Sequence, residues 1–157
     1  MKVLFLCTAN SCRSILSEAL FNHLAPAGMR AFSAGSAPSG VLHPVAVQTL
    51  RNAGIDTQGL ASKGNDTHRE LAPDYVISVC DNAAQQPCPT FFGGATRLHW
   101  SLADPAACTG SNAEVSAAFT ATLALIERRL QAFLALPLAQ LDAHERLLAL
   151  QEIALIR

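Results

Sequence analysis

The stretch Cys7-Thr8-Ala9-Asn10-Ser11-Cys12-Arg13-Ser14 constrains this chain more than any other, because of what stands on either side of it. Before it lies the apolar run Val3-Leu4-Phe5-Leu6, which reads as a buried strand. After it, Ile15-Leu16-Ser17-Glu18-Ala19-Leu20 has helical spacing. A strand, a tight polar turn and a helix in that order aim the turn's backbone N–H groups and the helix's positive end at one small volume. Cys7 enters that volume first and Arg13 closes it. An oxyanion there meets amide donors and a planar guanidinium, with a sulfur directly beneath it. The field that holds an anion also favours a thiolate, so Cys7 is expected to be an ionised nucleophile near neutral pH. Thr8, Ala9, Asn10, Ser11, Cys12, Arg13 and Ser14 then form the oxyanion-binding set.

At 157 residues the chain is sized for one domain with a full hydrophobic core. A net charge of −1 gives no electrostatic attraction to nucleic acid or to an anionic membrane, so neither is expected as a partner. The apolar run after Lys2 is too short for a signal peptide, and the greasiest stretch, 117–141, is interrupted by Glu127-Arg128-Arg129 and Pro137. The expected location is cytoplasmic. There, cysteines at 7, 12, 80, 88 and 108 point to redox chemistry or metal rather than structural disulfides. The histidines, at 23, 43, 68, 99 and 144, make no close pairs with one another or with the cysteines, so no zinc site is expected.

The remaining elements alternate. Residues 2–6 form strand one, and a helix over 14–24 presents Ile15, Ala19 and His23, with Leu16, Leu20 and Leu24, on one broad face. Residues 29–33 form a second strand. Pro44 opens a helix that Gly54 ends. A loop over 59–66 leads to a short helix near 67–71. A third strand, 75–79, delivers Cys80 at its end, and 81–89 reads as a loop holding Cys88. A fourth strand covers 95–100. Ser111 and Glu114 form a capping box for a helix with Phe119, Leu123, Ile126, Leu130 and Phe133 at its spacing. The fold class is α/β: an open parallel four-stranded sheet with helices on both faces. Ligands of such sheets lie beyond the carboxyl ends of the strands, where Cys7, Cys80 and the segment after Trp100 all emerge. Asp104-Pro105 lies in that segment. A carboxyl group there can protonate an oxygen leaving the anion, although an Asp-Pro turn needs no such role.

The stretch from Cys7 to Ser14, set between a first strand and a first helix, resembles the anion loop of the low-molecular-weight tyrosine phosphatase superfamily. The resemblance covers about residues 1–135 and implies that Asp104 is the general acid. Ala106-Ala107 stand where those phosphatases carry an aromatic residue, which weakens a wall for aryl phosphates. Val76-Ile77-Ser78-Val79-Cys80-Asp81, followed by Cys88-Pro89, is similar to the redox pair of the thioredoxin-coupled arsenate reductases of that superfamily. Ile15, in place of the phosphatases' proline, favours the same branch. The resemblance implies a relay in which Cys7 attacks arsenate, Cys80 attacks Cys7 and Cys88 attacks Cys80. No cofactor is tightly bound, and thioredoxin (or glutaredoxin) restores the thiols. The alternative is a phosphatase hydrolysing phosphate monoesters through a phosphocysteine; a non-catalytic oxyanion-binding module is a third reading.

Two departures stand out. Lys63 lies near where some reductases place a carboxylate for potassium, with Asn10, Glu18 and Ser33 as companions. An ammonium there can replace the ion, which puts a monovalent cation site in doubt. Residues 137–157 read as a C-terminal helical extension to a domain of residues 1–136, with Asp142 and Glu145 in capping positions. Leu141, Leu148 and Leu155 repeat at seven, but His144 and Gln151 break the seam, so a helix packed on its own domain or a weak dimer contact is expected. Cys12 points from the loop, where it can tune it, and Cys108 has no argued role.

Overall fold

The computed structural model describes residues 1–157. Its four strands are β1 (Lys2–Cys7), β2 (Arg30–Gly35), β3 (Tyr75–Ser78) and β4 (Thr96–His99). They pair in the order β2-β1-β3-β4, all parallel, so β1 is central and its end lies between the ends of β2 and β3. Five helices accompany them: α1 (Arg13–Leu24), α2 (Pro44–Asn52), α3 (Asp81–Gln85), α4 (Asn112–Ala135) and α5 (Ala143–Ile153). No helix is long and apolar enough to cross a membrane.

The pleat of β1 divides the interior. Val3, Phe5 and Cys7 point into the main core, with Ile15, Leu16, Phe21, Trp100, Phe119 and Phe133. Leu4 and Leu6 point the other way, into a smaller cluster with Ala34, Val76 and Phe92. This is the period-2 alternation of a strand buried on both sides. It places Cys7 on the same face as Cys12 and Cys80, whereas Cys88 packs against the cluster on the opposite face.

The helical starts follow the sequence closely. Ser111 and Glu114 form the capping box of α4, and Asp142 and Glu145 form a second one at α5. Pro44 is the first residue of α2, capped by the His43 ring. Two details differ. His23 is exposed, and Phe21 takes its place in the core, edge-on to Phe5 and close to Phe133. α1 lies against both the sheet and α4, so its buried arc is wider than one stripe and includes Ser14 and Ser17. The short helix expected near 67–71 is a 3-10 turn at Asn65–His68. α5 sends Leu150 and Ile153 into the main core.

Candidate active site

The loop between β1 and α1 is shaped from outside. Its carbonyls are taken by the chain leaving β2: Ser36 N donates to Cys7 O, Ala37 N to Thr8 O at 3.0 Å, Ser39 N to Ala9 O at 2.9 Å and His43 N to Ser11 O at 2.9 Å. Ser62 Oγ adds a second bond to Ala9 O. With the carbonyls turned outward, none of the amides from Ala9 to Ser14 donates to a protein acceptor. Successive amides of this kind, at the start of a helix, form a concave anion receptor. Two residues make the shape possible. Asn10 adopts a left-handed backbone with φ 46°, and it is held there by its side chain. Its Nδ2 donates to Ser14 Oγ and Ser33 Oγ, both at 2.9 Å, while its Oδ1 accepts from Lys63 N at 2.8 Å. Asn10 therefore serves the loop as a buried brace. Gly35 lets β2 approach so closely that a Cβ there would lie 2.4 Å from Thr8 O.

Arg13, the first residue of α1, closes the receptor. Its Nη1 donates to Leu102 O at 3.1 Å and its Nη2 pairs with Asp104 Oδ2 at 3.3 Å. Its Nε is buried without a protein acceptor, a donor that an oxyanion oxygen would satisfy. Asp104 is itself fixed, because its Oδ1 accepts from Ala106 N at the start of a 3-10 turn (Pro105–Ala107). The Arg13–Asp104 pair thus sets a carboxyl group at the rim of the loop.

Beneath the loop the structure brings Cys7 and Cys80 together. Both side chains are buried in the main core, and Cys80 Sγ lies 3.5 Å from Oγ1 of Thr8, the residue after Cys7, and accepts from Ala83 N at 3.4 Å. Cys80 is the N-cap of α3, a short helix where the sequence reads as loop; Asp81-Asn82-Ala83-Ala84 supplies its first turn. The expectation of a Cys7 thiolate meets a rival here. The Cys80 pKa falls from 9.0 to about 5, chiefly through the neighbouring Cys7 thiol, with Thr8, Ala83 and Arg13 adding to the effect. Cys80, followed by burial, pushes the Cys7 thiol up, while the nearby Arg13 charge pulls it down. The two sulfurs compete for one negative charge, and Thr8 and Ala83 favour it on Cys80. The Cys12 side chain is buried in the main core, and burial, then Asp104, pushes its thiol up to about 12.

One prediction follows from the shared proton. In Cys80→Ser the strongest influence raising Cys7 is gone and Arg13 remains, so the Cys7 midpoint should fall. The ultraviolet absorbance of thiolate across pH, with Cys7→Ser as the partner variant, reads it. A Cys7 midpoint that stayed in place or rose in Cys80→Ser would overturn the coupling of the two thiols.

Cys88 packs against the smaller cluster, whereas Cys80 lies in the main one. Cys88 lines a cleft of about 340 Å³ that also receives Cys7, Ser36, Pro87, Arg97 and His99. Lys63 lies where the sequence reading puts it. Its Nζ is 3.3 Å from Glu18 Oε2 and from Ser33 Oγ, and donates to Ala61 O at 2.9 Å. Ser33 in turn donates to Glu18. Sequence reasoning missed Thr8 Oγ1, Gly35 and a clamp on the first residue of α3, in which Asp81 Oδ1 takes His99 Nε2 at 3.1 Å and Ser101 Oγ at 2.8 Å. Only Gly35 had a signal, as a glycine ending a strand beside the loop.

The family model for the low molecular weight phosphotyrosine protein phosphatase matches residues 2–147. An arsenate reductase of Halalkalibacterium halodurans is 33 % identical over 131 residues, 83 % of this chain and 93 % of that one. The crystal structure of an arsenate reductase from Archaeoglobus fulgidus superposes with a TM-score of 0.71 at 25 % identity, covering 85 % of this chain and 99 % of that one. A thioredoxin-dependent arsenate reductase of Corynebacterium glutamicum superposes at 0.60 with 26 % identity, over 83 % of this chain and 61 % of that one. By sequence and by fold, the chain belongs to the low molecular weight phosphotyrosine protein phosphatase family.

Proposed function

We propose that this protein reduces arsenate to arsenite with electrons from its own thiols, which thioredoxin restores. The observation that carries this reading is the second buried thiol, Cys80, set beside Cys7 and Thr8 beneath the anion loop. Hydrolysis of a phosphoenzyme needs one cysteine and water. Moving two electrons onto a bound oxyanion needs a second sulfur able to reach the first. Relatives named arsenate reductases, one of them thioredoxin-dependent, support the same reading.

Arsenate enters the loop, where the free amides and Arg13 take its oxygens and Asp104 gives up its hold on the guanidinium fork. Cys7 passes its proton to Cys80, and its sulfur forms a bond to arsenic. Asp104, taking a proton from solvent as it releases Arg13, passes it to the oxygen that leaves as water. The Cys80 proton is lost to solvent, and the Cys80 thiolate attacks Cys7 Sγ. As that S–S bond forms, the electron pair of the S–As bond stays on arsenic, which departs as arsenite. Cys88 then attacks Cys80 Sγ, freeing Cys7 and placing the disulfide between Cys80 and Cys88. A dithiol donor reduces it, and the cytoplasm is the compartment where such donors keep thiols reduced.

The test is arsenate-dependent oxidation of NADPH through thioredoxin reductase and thioredoxin, run beside hydrolysis of p-nitrophenyl phosphate. Hydrolysis without arsenate-dependent oxidation would make the protein a phosphatase acting through a phosphocysteine. Turnover with glutaredoxin and glutathione alone would replace the donor. If the Lys63 ammonium acts as a tethered cation, exchanging potassium for sodium should change neither activity nor melting temperature. A potassium-specific rise in either would show an ion competing for Glu18 and Ser33.

A further inference from the structure

Arg129 lies in α4, 1 % exposed, and forms no ion pair. A guanidinium is costly to bury, and this one is held by carbonyls alone. Its Nη1 donates to Ser101 O at 3.1 Å. Its Nη2 donates to Ala154 O at 3.1 Å and Ile156 O at 3.0 Å, and its Nε to Ile156 O at 3.3 Å. One planar group therefore joins two distant pieces of chain: the turn that follows α5, and the segment leaving β4.

That segment is the one that touches the site. The carbonyl after Ser101, on Leu102, accepts from Arg13 Nη1, and Asp104 holds Arg13 Nη2. Ser101 Oγ donates to Asp81, the residue after Cys80. On the other side, Leu150 and Ile153 fix α5 in the main core immediately before the turn that Arg129 grips.

We propose that Arg129, braced by the C-terminal turn, is a positioning residue for the reaction: it fixes residues 101–104 and so sets Leu102 O and Asp104 against Arg13. The catalytic part of this inference rests on the acid role of Asp104 described above, whereas the positioning part does not. Lysine at 129 would keep the charge but cannot span both sets of carbonyls, since an ammonium is a point donor without the fork.

The experiment uses the full-length chain carrying Arg129→Lys, and separately Leu150→Ala, which loosens α5 without altering the guanidinium. Hydrogen exchange read by mass spectrometry at a temperature where each variant stays folded should rise about tenfold in 101–107 together with 154–157. In single turnover, Arg129→Lys should slow arsenite release about tenfold, because a misplaced acid costs rate. In an Asp104→Asn background the same substitution should add little. Unchanged exchange in 101–107 while 154–157 loosens, in either variant, would overturn the proposal. An equal rate loss in both backgrounds would overturn its route through Asp104. If Asp104→Asn alone left the rate intact, the acid role would fall, and the exchange measurement would still decide whether Arg129 positions the segment.

Discussion

Cys88→Ser should release about one arsenite per chain and then stop, with a disulfide joining Cys7 and Cys80. Cys80→Ser should release none, because no sulfur is placed to discharge the adduct on Cys7. The difference rests on placement. Cys80 is buried in the same cluster as Cys7, with its sulfur 3.5 Å from Thr8 Oγ1, so the first disulfide needs little movement. Cys88 packs with Leu4, Leu6 and Phe92 on the other face of the sheet, so the second exchange requires residues 86–89 to leave that cluster and α3 to loosen at its start. Thiol–disulfide exchange needs in-line approach to an accessible sulfur, and the first disulfide is buried beneath the loop. A single-turnover arsenite assay with disulfides mapped by mass spectrometry reads both variants. Sustained turnover of Cys88→Ser with thioredoxin would leave a two-thiol mechanism.

Arg13→Lys should lose activity almost as fully as Arg13→Ala, on the order of a hundredfold or more in kcat/KM. In the resting site the guanidinium already uses two nitrogens in two directions, on Leu102 O and on Asp104, and keeps Nε free for the anion. An ammonium can satisfy one of these directions at a time. Phosphate should protect Cys7 from alkylation in the native protein and fail to do so in both variants. A lysine variant with near-native activity would mean that charge alone, without the fork, holds the oxyanion.

Much of this was legible in the chain because strands buried on both faces and capped amphipathic helices leave local signatures. The apolar run before Cys7, the capping boxes at Ser111 and Asp142, and Pro44 at the start of α2 each name their own element. The charge on the thiol pair was not legible. It depends on how many donors reach Cys80 rather than Cys7, and those come from Thr8 and Ala83, far apart in sequence. Helix α3 was hidden because five residues with one good cap give too short a period to distinguish from a turn. His23 misled for a related reason: a helix wedged between sheet and helix buries more than one stripe, so spacing alone cannot say that Phe21 is inside.

The bonds that turn the loop's carbonyls outward come from residues 36–43 and 62, none of them part of the loop. A peptide carrying Cys7 to Ser14 alone would therefore have no reason to hold its amides convergent, and its cysteines would be ordinary thiols. The receptor is thus assembled only when β1 and β2 have paired and Gly35 has brought the two segments together. An oxyanion that fits the finished receptor would bind only the folded form, so added phosphate should raise the melting temperature even with no arsenate present.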